Sequence, residues 1–291
     1  MIYWITVNYY STELIQRLIN SIVEARDAAF LPRINNQIII INNSPDDQSI
    51  YQLQSSHILI LDSPQNIGFG RACNIGLNWV YQQNHEALVW LINPDVILPK
   101  NSFTNATRFF EENPDISLLG TVVYTPNGEL EFAGGEFIQK TGKIAELKSI
   151  SQELKTKSYV LTDWVSGCSL LINLKKFKDC PQFDEDYFLY YEDFDFCRRY
   201  TQQGHLIALT HQIQVIHQSS SITGQYPALK IQQSIYSYLL TLEQYTEKKV
   251  LFYRLFRITF ASLFSLIRDP EVSLSKLKGV WLYFQRLVKS K

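Results

Sequence analysis

The sequence predicts an α/β fold: a Rossmann-like, mostly parallel sheet with helices on both faces, followed by a C-terminal helical extension. Three observations carry this. Short apolar runs suited to buried strands recur at Ile2–Val7, Gln37–Asn42, Ile58–Leu61 and Ala87–Ile92. Helical spacing fills gaps between them, at Thr12–Ala29 and Gly70–Gln83. From Tyr226 onward the pattern is helical only.

Each element has a local reason. Leu14, Leu18, Ile22, Ala25 and Ala29 share one helical face, and Ser11 or Thr12 can cap it. Four isoleucines make Gln37–Asn42 a strand fit for burial on both sides. In such sheets ligands bind at the carboxyl ends of the strands, where Asn8, Asn42, Asn43, Ser44, Asp62 and Asn93–Asp95 stand. Beyond Asp115 the rhythm changes. Ser117–Tyr124 and Glu129–Ile138 flank a Pro126-Asn127-Gly128 turn and read as a hairpin. Gly134 and Gly135 allow another backbone to approach. Lys140–Ser158 reads as a polar, mobile loop, Thr162–Ile172 as one strand, and Glu192–Gln203 as a helix ended by Gly204. Ile207–Leu209 and Gln212–Ile216 read as two late strands.

At 291 residues, 46% hydrophobic, the chain can bury a sizeable core. The net charge of −1 hides an asymmetry: Lys248–Lys291 holds ten Lys/Arg and two acids, leaving −9 on the remainder. An acidic body with a basic tail suggests two jobs. The expected domains are 1–224, the α/β body, and 225–291, helical. The tail's apolar content argues for an anionic membrane surface or a packing or homodimer contact, and against nucleic acid. Arg254 and Arg257 interrupt Val250–Ile267, so lying on a bilayer is favoured over spanning it. Cys73, Cys168, Cys180 and Cys197 lack metal spacing and read as reduced thiols, and no signal peptide is recognisable. The expected place is the cytoplasm or the inner face of the plasma membrane.

The stretch Phe183–Arg198, FDEDYFLYYEDFDFCR, gathers Asp184, Glu185, Asp186, Glu192, Asp193 and Asp195 among aromatic rings. Carboxylates in apolar surroundings resist ionisation, which suits a group that must take a proton. The bland alternative is a solvated helix N-terminus for Asp184–Asp186. Asn93-Pro94-Asp95 directly follows a strand; it is either a β-turn or a carboxylate poised to hold Mg²⁺ or Mn²⁺ against a diphosphate. Asn66, Gly68, Arg71 and Asn74 belong to a glycine-bearing loop and helix start suited to anions, although Cys73 breaks the dinucleotide fingerprint. His217 closes the last strand and is either structural or a metal ligand. His57, His85, His205 and His211 read as structural.

Seven pieces in fixed order carry a resemblance: VNYYSTELIQRLINSI, IINNSPDD, NIGFGRACNIG, LINPDV, WVSGCSLLI, FDEDYFLYYEDFDFCRR and VIHQSSS. Together they resemble the family 2 glycosyltransferases, especially the rhamnosyltransferase-like branch of bacterial surface polysaccharide synthesis. The resemblance implies a GT-A fold, a UDP- or dTDP-linked sugar donor, a glycan or polyprenyl-linked acceptor, a divalent metal (Mg or Mn), and inversion. It implies that Asp193 is the general base with Glu192 beside it. Asp95 would hold the metal, with His217 able to complete the site. Asn8, Asn42, Asn43, Ser44, Asn66, Gly68, Arg71, Asn74 and Asn93 fall on the donor side. Trp164, Gly167, Gly134 and Gly135 fall on the acceptor side. Asn42 departs from the family's usual aspartate, which keeps open a member that binds nucleotide or glycan without catalysis. A sugar nucleotidyltransferase is disfavoured, because Asn8-Tyr9-Tyr10-Ser11 is no glycine-rich loop.

Overall fold

The computed structural model describes residues 2–27, 37–218 and 223–289. In chain order the elements are β1 (Ile2–Asn8), α1 (Thr12–Asp27), β2 (Gln37–Asn42), β3 (Ile58–Asp62), α2 (Phe69–Gln83), β4 (Leu88–Ile92), β5 (Val96–Ile97), α3 (Ser102–Glu112), β6 (Ile116–Tyr124), β7 (Leu130–Phe132), β8 (Gly135–Ile138), β9 (Lys143–Glu146), α4 (Gln152–Thr156), β10 (Val160–Leu161), β11 (Ser169–Asn173), α5 (Glu192–Gln202), β12 (Leu206–His217), α6 (Pro227–Tyr245), α7 (Lys248–Ser265) and α8 (Pro270–Lys289). The ends of two sequence-derived features, Ala28–Ala29 and Ser219–Ser221, lie outside the described residues.

The main sheet runs β10-β12-β6-β11-β4-β1-β2-β3, with β5 added to β12 and β7 to β6. β3, β2, β1 and β4 are mutually parallel, as are β6 and β12. β11 runs antiparallel between β4 and β6. That reversal matters for function. It brings the segment entering β11 to the edge where the parallel strands end.

Alternation of side chains assigns the layers. Trp4 of β1 stacks on Trp90 at 4.6 Å and lies near Phe103 of α3, so α3 covers that face. Ile5 faces the other way, where a Cβ on Gly76 of α2 would stand 2.8 Å from it. Glycine there lets α2 seat directly on β1. Helices therefore cover both faces, as the sequence predicts, and the core is continuous across the sheet.

Four local expectations are corrected. The hairpin after β6 is short: β7 pairs with β6 only through Leu130 and Phe132. The chain then leaves the sheet at Gly134 (φ 111°), and β8 pairs instead with β9. The polar segment Lys140–Ser158 thus contains β9 and α4, hidden in the sequence because their outer faces carry charge. Within Thr162–Ile172 only Ser169 onward is strand, and it runs one residue further, to Asn173; Trp164, Val165 and Cys168 before it are buried without a ladder. The two late strands are one, β12, which bulges between Thr210 and Gln214 while keeping β6 as partner.

The C-terminal helices form a layer against the body. Leu239, Leu242, Leu251, Val280 and Tyr283 make a second, smaller apolar cluster. α6 also reaches into the body: Tyr245 Oη donates to Asp195 Oδ1 at 2.6 Å, and Ser237 Oγ to the Leu189 carbonyl at 2.8 Å.

Candidate active site

The carboxyl edge of the sheet opens into a cavity of about 810 Å³. Asn43, Asn66, Gly68, Asn93, Asp95, Trp164, Gly167, Glu192, Asp193 and His217 all line it. The structure thus brings together carboxylates nearly a hundred positions apart in sequence.

Asp95 is placed by the turn after β4. The Asn93 N–H donates to the Cys168 carbonyl at 2.9 Å, and the Gln218 N–H donates to the Asp95 carbonyl at 2.9 Å. Pairing of β5 with β12 sets Val96 opposite His217. The imidazole therefore arrives beside Asp95, with Nε2 at 3.2 Å from Oδ1. Its Nδ1 lies 3.3 Å from Glu131 Oε2, on β7. Burial opposes the imidazolium, yet contacts with Asp95 and Glu131 outweigh it and push the His217 pKa up to about 9. Asp95 is 8% exposed, and its Oδ1 accepts no aligned hydrogen bond. The His217 imidazolium is the cation that meets this buried carboxylate oxygen. Among the described residues no cluster of three or more His, Cys, Asp or Glu is arranged as a ready-made metal cage. Asp95 and Glu131 nonetheless supply hard oxygen donors that suit a divalent cation sharing its shell with a diphosphate, and His217 could join them once it loses its proton.

Asp193 is placed from the opposite wall, in the first turn of α5. Its Oδ2 accepts the Gly167 N–H at 2.9 Å and its Oδ1 accepts the Phe194 N–H at 2.8 Å. Burial raises its pKa, and these two donors work against that rise. A Cβ on Gly167 would stand 3.2 Å from the Asp193 Cβ, so glycine keeps this approach close. Glu192 is 6% exposed; burial, then the charge of Asp193, pushes its pKa up to about 8. Tyr190 (φ 68°) and Tyr191 (φ 63°) precede it in the left-handed region. Two such residues in succession store backbone strain, typically about 1–3 kcal/mol each. The strain is held by α6, through the Ser237 bond to Leu189, and by the Phe69 N–H, which donates to the Phe188 carbonyl at 3.1 Å.

The remaining acidic residues of this stretch serve packing. Asp195 is fully buried and held by Arg199 at 2.7 Å and by Tyr245. Asp186 pairs with Arg286, and Asp184 accepts from Gln244. Only Glu192 and Asp193 of the six face the cavity.

Several residues expected on the donor and acceptor sides stand behind the cavity wall rather than on it. Asn8 is fully buried and donates to Asn42, Ser44 and Asp47. Asn42 donates to Asp62 at 3.0 Å, so a carboxylate lies one strand beyond the amide. Ser44 closes this network. Arg71 turns outward and donates to the Glu185 carbonyl, while Asn74 clamps the Phe183 backbone through both N–H and carbonyl. Gly134 and Gly135 lie behind Trp164; a Cβ on Gly135 would stand 2.1 Å from the indole. Asn43 supports the cavity by donating to Asn66 and accepting from the Ile67 N–H.

Cavity residues that sequence reading missed are Tyr9, Glu131, Glu146, Lys148, Tyr190, Tyr191, Tyr226 and Lys230. Glu131 sits beside Phe132 in a strand too short to register as periodic. Glu146 lay in the presumed loop; burial raises its pKa, with the charges of Asp193 and Glu131 adding to the rise and Lys148 opposing it.

The profile described as glycosyl transferase family 2 matches residues 3–172. The chain belongs to this family. It is 21% identical over 217 residues to the low-salt glycan biosynthesis hexosyltransferase Agl10 of Haloferax volcanii, spanning 73% of this chain and 66% of that one. It is 26% identical over 191 residues to the N-acetylglucosaminyl-diphospho-decaprenol L-rhamnosyltransferase of Mycobacterium tuberculosis, spanning 59% and 62%. The matches therefore cover just under two thirds of these relatives. Among solved structures, GalNAc-T7 with UDP, GalNAc and Mn²⁺ superimposes at a TM-score of 0.62 with 13% identity, over 96% of this chain and 53% of that one. The mannosyltransferase PcManGT of Pyrobaculum calidifontis, in complex with GDP-Man and Mn²⁺, gives 0.56 with 12% identity, over 94% and 73%. At such identities the likeness speaks for the fold, which is GT-A.

Proposed function

We propose that this chain is an inverting glycosyltransferase. It moves a sugar such as rhamnose from a UDP- or dTDP-linked donor to a glycan or polyprenyl-linked glycan, in surface polysaccharide synthesis. The observation that carries the reading is that Asp95 and Asp193, far apart in sequence, line one cavity at the carboxyl edge of the sheet. Each carboxylate has the surroundings its task requires.

Asp193 takes the proton of the acceptor hydroxyl as that oxygen attacks the anomeric carbon. The N–H groups of Gly167 and Phe194 fix its orientation. General-base assistance of this kind contributes roughly 10²- to 10⁴-fold. Glu192, whose carboxyl burial and the charge of Asp193 hold above the usual range, can donate a hydrogen bond to the acceptor when it carries its proton. Asp95, with Glu131 and His217, would hold a divalent cation, Mg²⁺ or Mn²⁺. Such a cation, when bound, stabilises the negative charge growing on the leaving diphosphate. Trp164 lines the cavity, and its indole Nε1 edge is packed against Gly135.

The test is release of nucleoside diphosphate from a panel of UDP-, dTDP- and GDP-sugars with Mg²⁺ or Mn²⁺. Release from one donor that depends on Asp193 supports the reading. Donor binding seen as a thermal shift, with no release from any donor and acceptor pair, would replace it with a binding protein.

A further inference from the structure

α7 is apolar around most of its circumference, and only one side is covered. Val250, Leu251, Leu255, Ile258 and Ser262 face α6 and α8. The opposite side leaves Phe252, Phe256, Phe260, Leu263, Phe264 and Ile267 exposed, from 53% to 98%. At about 100° per residue the five within the helix fall within an arc of roughly 120°, and Ile267 lies in the turn that follows. Phe256 and Phe260 stack on each other at 5.7 Å, in the open. α8 adds Trp281 at 58% and Val288 at 76%. Monomeric proteins rarely leave so many large apolar side chains uncovered on neighbouring helices.

Charge decides between occupants. Arg257 stands on the shoulder of the α7 arc, Arg268 is exposed in the turn just after the helix, and Lys248 and Lys278 are also exposed. A second copy meeting this face symmetrically would set cation against cation. An anionic lipid surface would take the aromatic row into its headgroup region and meet the cations with its phosphates. No helix among the described residues is long and apolar enough to cross a membrane. The surface fits lying on a bilayer.

The face also has a defined relation to the cavity. Arg254 of α7 donates to the Thr141 carbonyl in the turn between β8 and β9, and Glu146 of β9 lines the cavity. α6, whose Lys230 and Ser234 line the same cavity with Tyr226 just before it, is the helix on which α7 and α8 pack.

We infer that the outer face of α7 and α8 docks the protein on an anionic membrane through an aromatic row flanked by arginine and lysine. This stands apart from the transferase reading, because its test measures binding and not turnover. The full chain is sedimented with vesicles of phosphatidylcholine alone and of phosphatidylcholine with phosphatidylglycerol. Binding should require phosphatidylglycerol and fall with salt. It should weaken about tenfold or more in Phe256→Ser/Phe260→Ser and in Arg257→Glu/Arg268→Glu, both exposed pairs whose replacement leaves the melting temperature in place. Three outcomes overturn the inference: no sedimentation with anionic vesicles, sedimentation unchanged in both variants, or a wild-type dimer by light scattering that the Phe256→Ser/Phe260→Ser variant converts to monomer.

Discussion

In the α/β body Trp4, Trp90 and Phe196 are completely enclosed, whereas on α7 and α8 Phe256, Phe264 and Trp281 are 67%, 84% and 58% exposed. The two regions use aromatic residues for opposite ends. In the body they set distances: Phe194 packs on Trp164 and Tyr245, so the wall carrying Asp193 is held against the wall carrying Gly167. In the helical layer only the inner side does this, pinning the strained segment before α5 from behind. The difference teaches that the geometry of the candidate site belongs to residues without freedom to move. The exposed aromatic surface lies on the far side of the same layer.

The largest effect should come from Asp193→Asn, which loses roughly 10²- to 10⁴-fold in turnover while donor binding persists, measured by diphosphate release and thermal shift. Phe194→Ala should cost about 3–5 kcal/mol in denaturant unfolding, because it empties an enclosed site between Trp164 and Tyr245. Gly68→Ala follows. A Cβ there would lie 2.2 Å from the Phe188 carbonyl oxygen, on a residue with φ of 89°. It should cost at least about 2 kcal/mol and weaken donor binding.

Glu192 sharpens the comparison through pH. Its carboxyl is raised from 4.5 to about 8, so the folded chain holds a proton that the unfolded chain has released. Stability from this group is therefore greatest at low pH, declines between pH 4.5 and about 8, and stays reduced above that. Glu192→Gln should flatten this decline and raise the melting temperature by several degrees in mildly alkaline buffer, while leaving it little changed near pH 4.5. The smallest effect belongs to Phe256→Ser, within about 0.5 kcal/mol of wild type in the same unfolding assay. A loss comparable to that of Phe194→Ala would show that α7 is covered, and the contrast between the regions would fail.

Much of the site was legible in the sequence because two of its carboxylates sit at places with strong local meaning. Asp95 ends a strand after a proline, and Asp193 opens a helix in an acidic, aromatic run. Their neighbours were less legible. Glu131 and Glu146 lie on three- and four-residue strands whose pairing is with distant segments, so no window of sequence shows a period. Asn8 and Asn42 looked ligand-facing because they end parallel strands. Their side chains instead satisfy one another, since β1 and β2 set Asn8 opposite Asn42.

By itself the sequence determined the parallel half of the sheet and the helices upon it. Their apolar periods are local and their order permits only a few ways to close a core. It also determined the charge split between body and tail. Only the tertiary structure decided that β11 reverses between β4 and β6, that β12 delivers His217 to Asp95, and that Gly167 meets Asp193. Those meetings depend on pairings between segments far apart in the chain, whose register is set by the whole core.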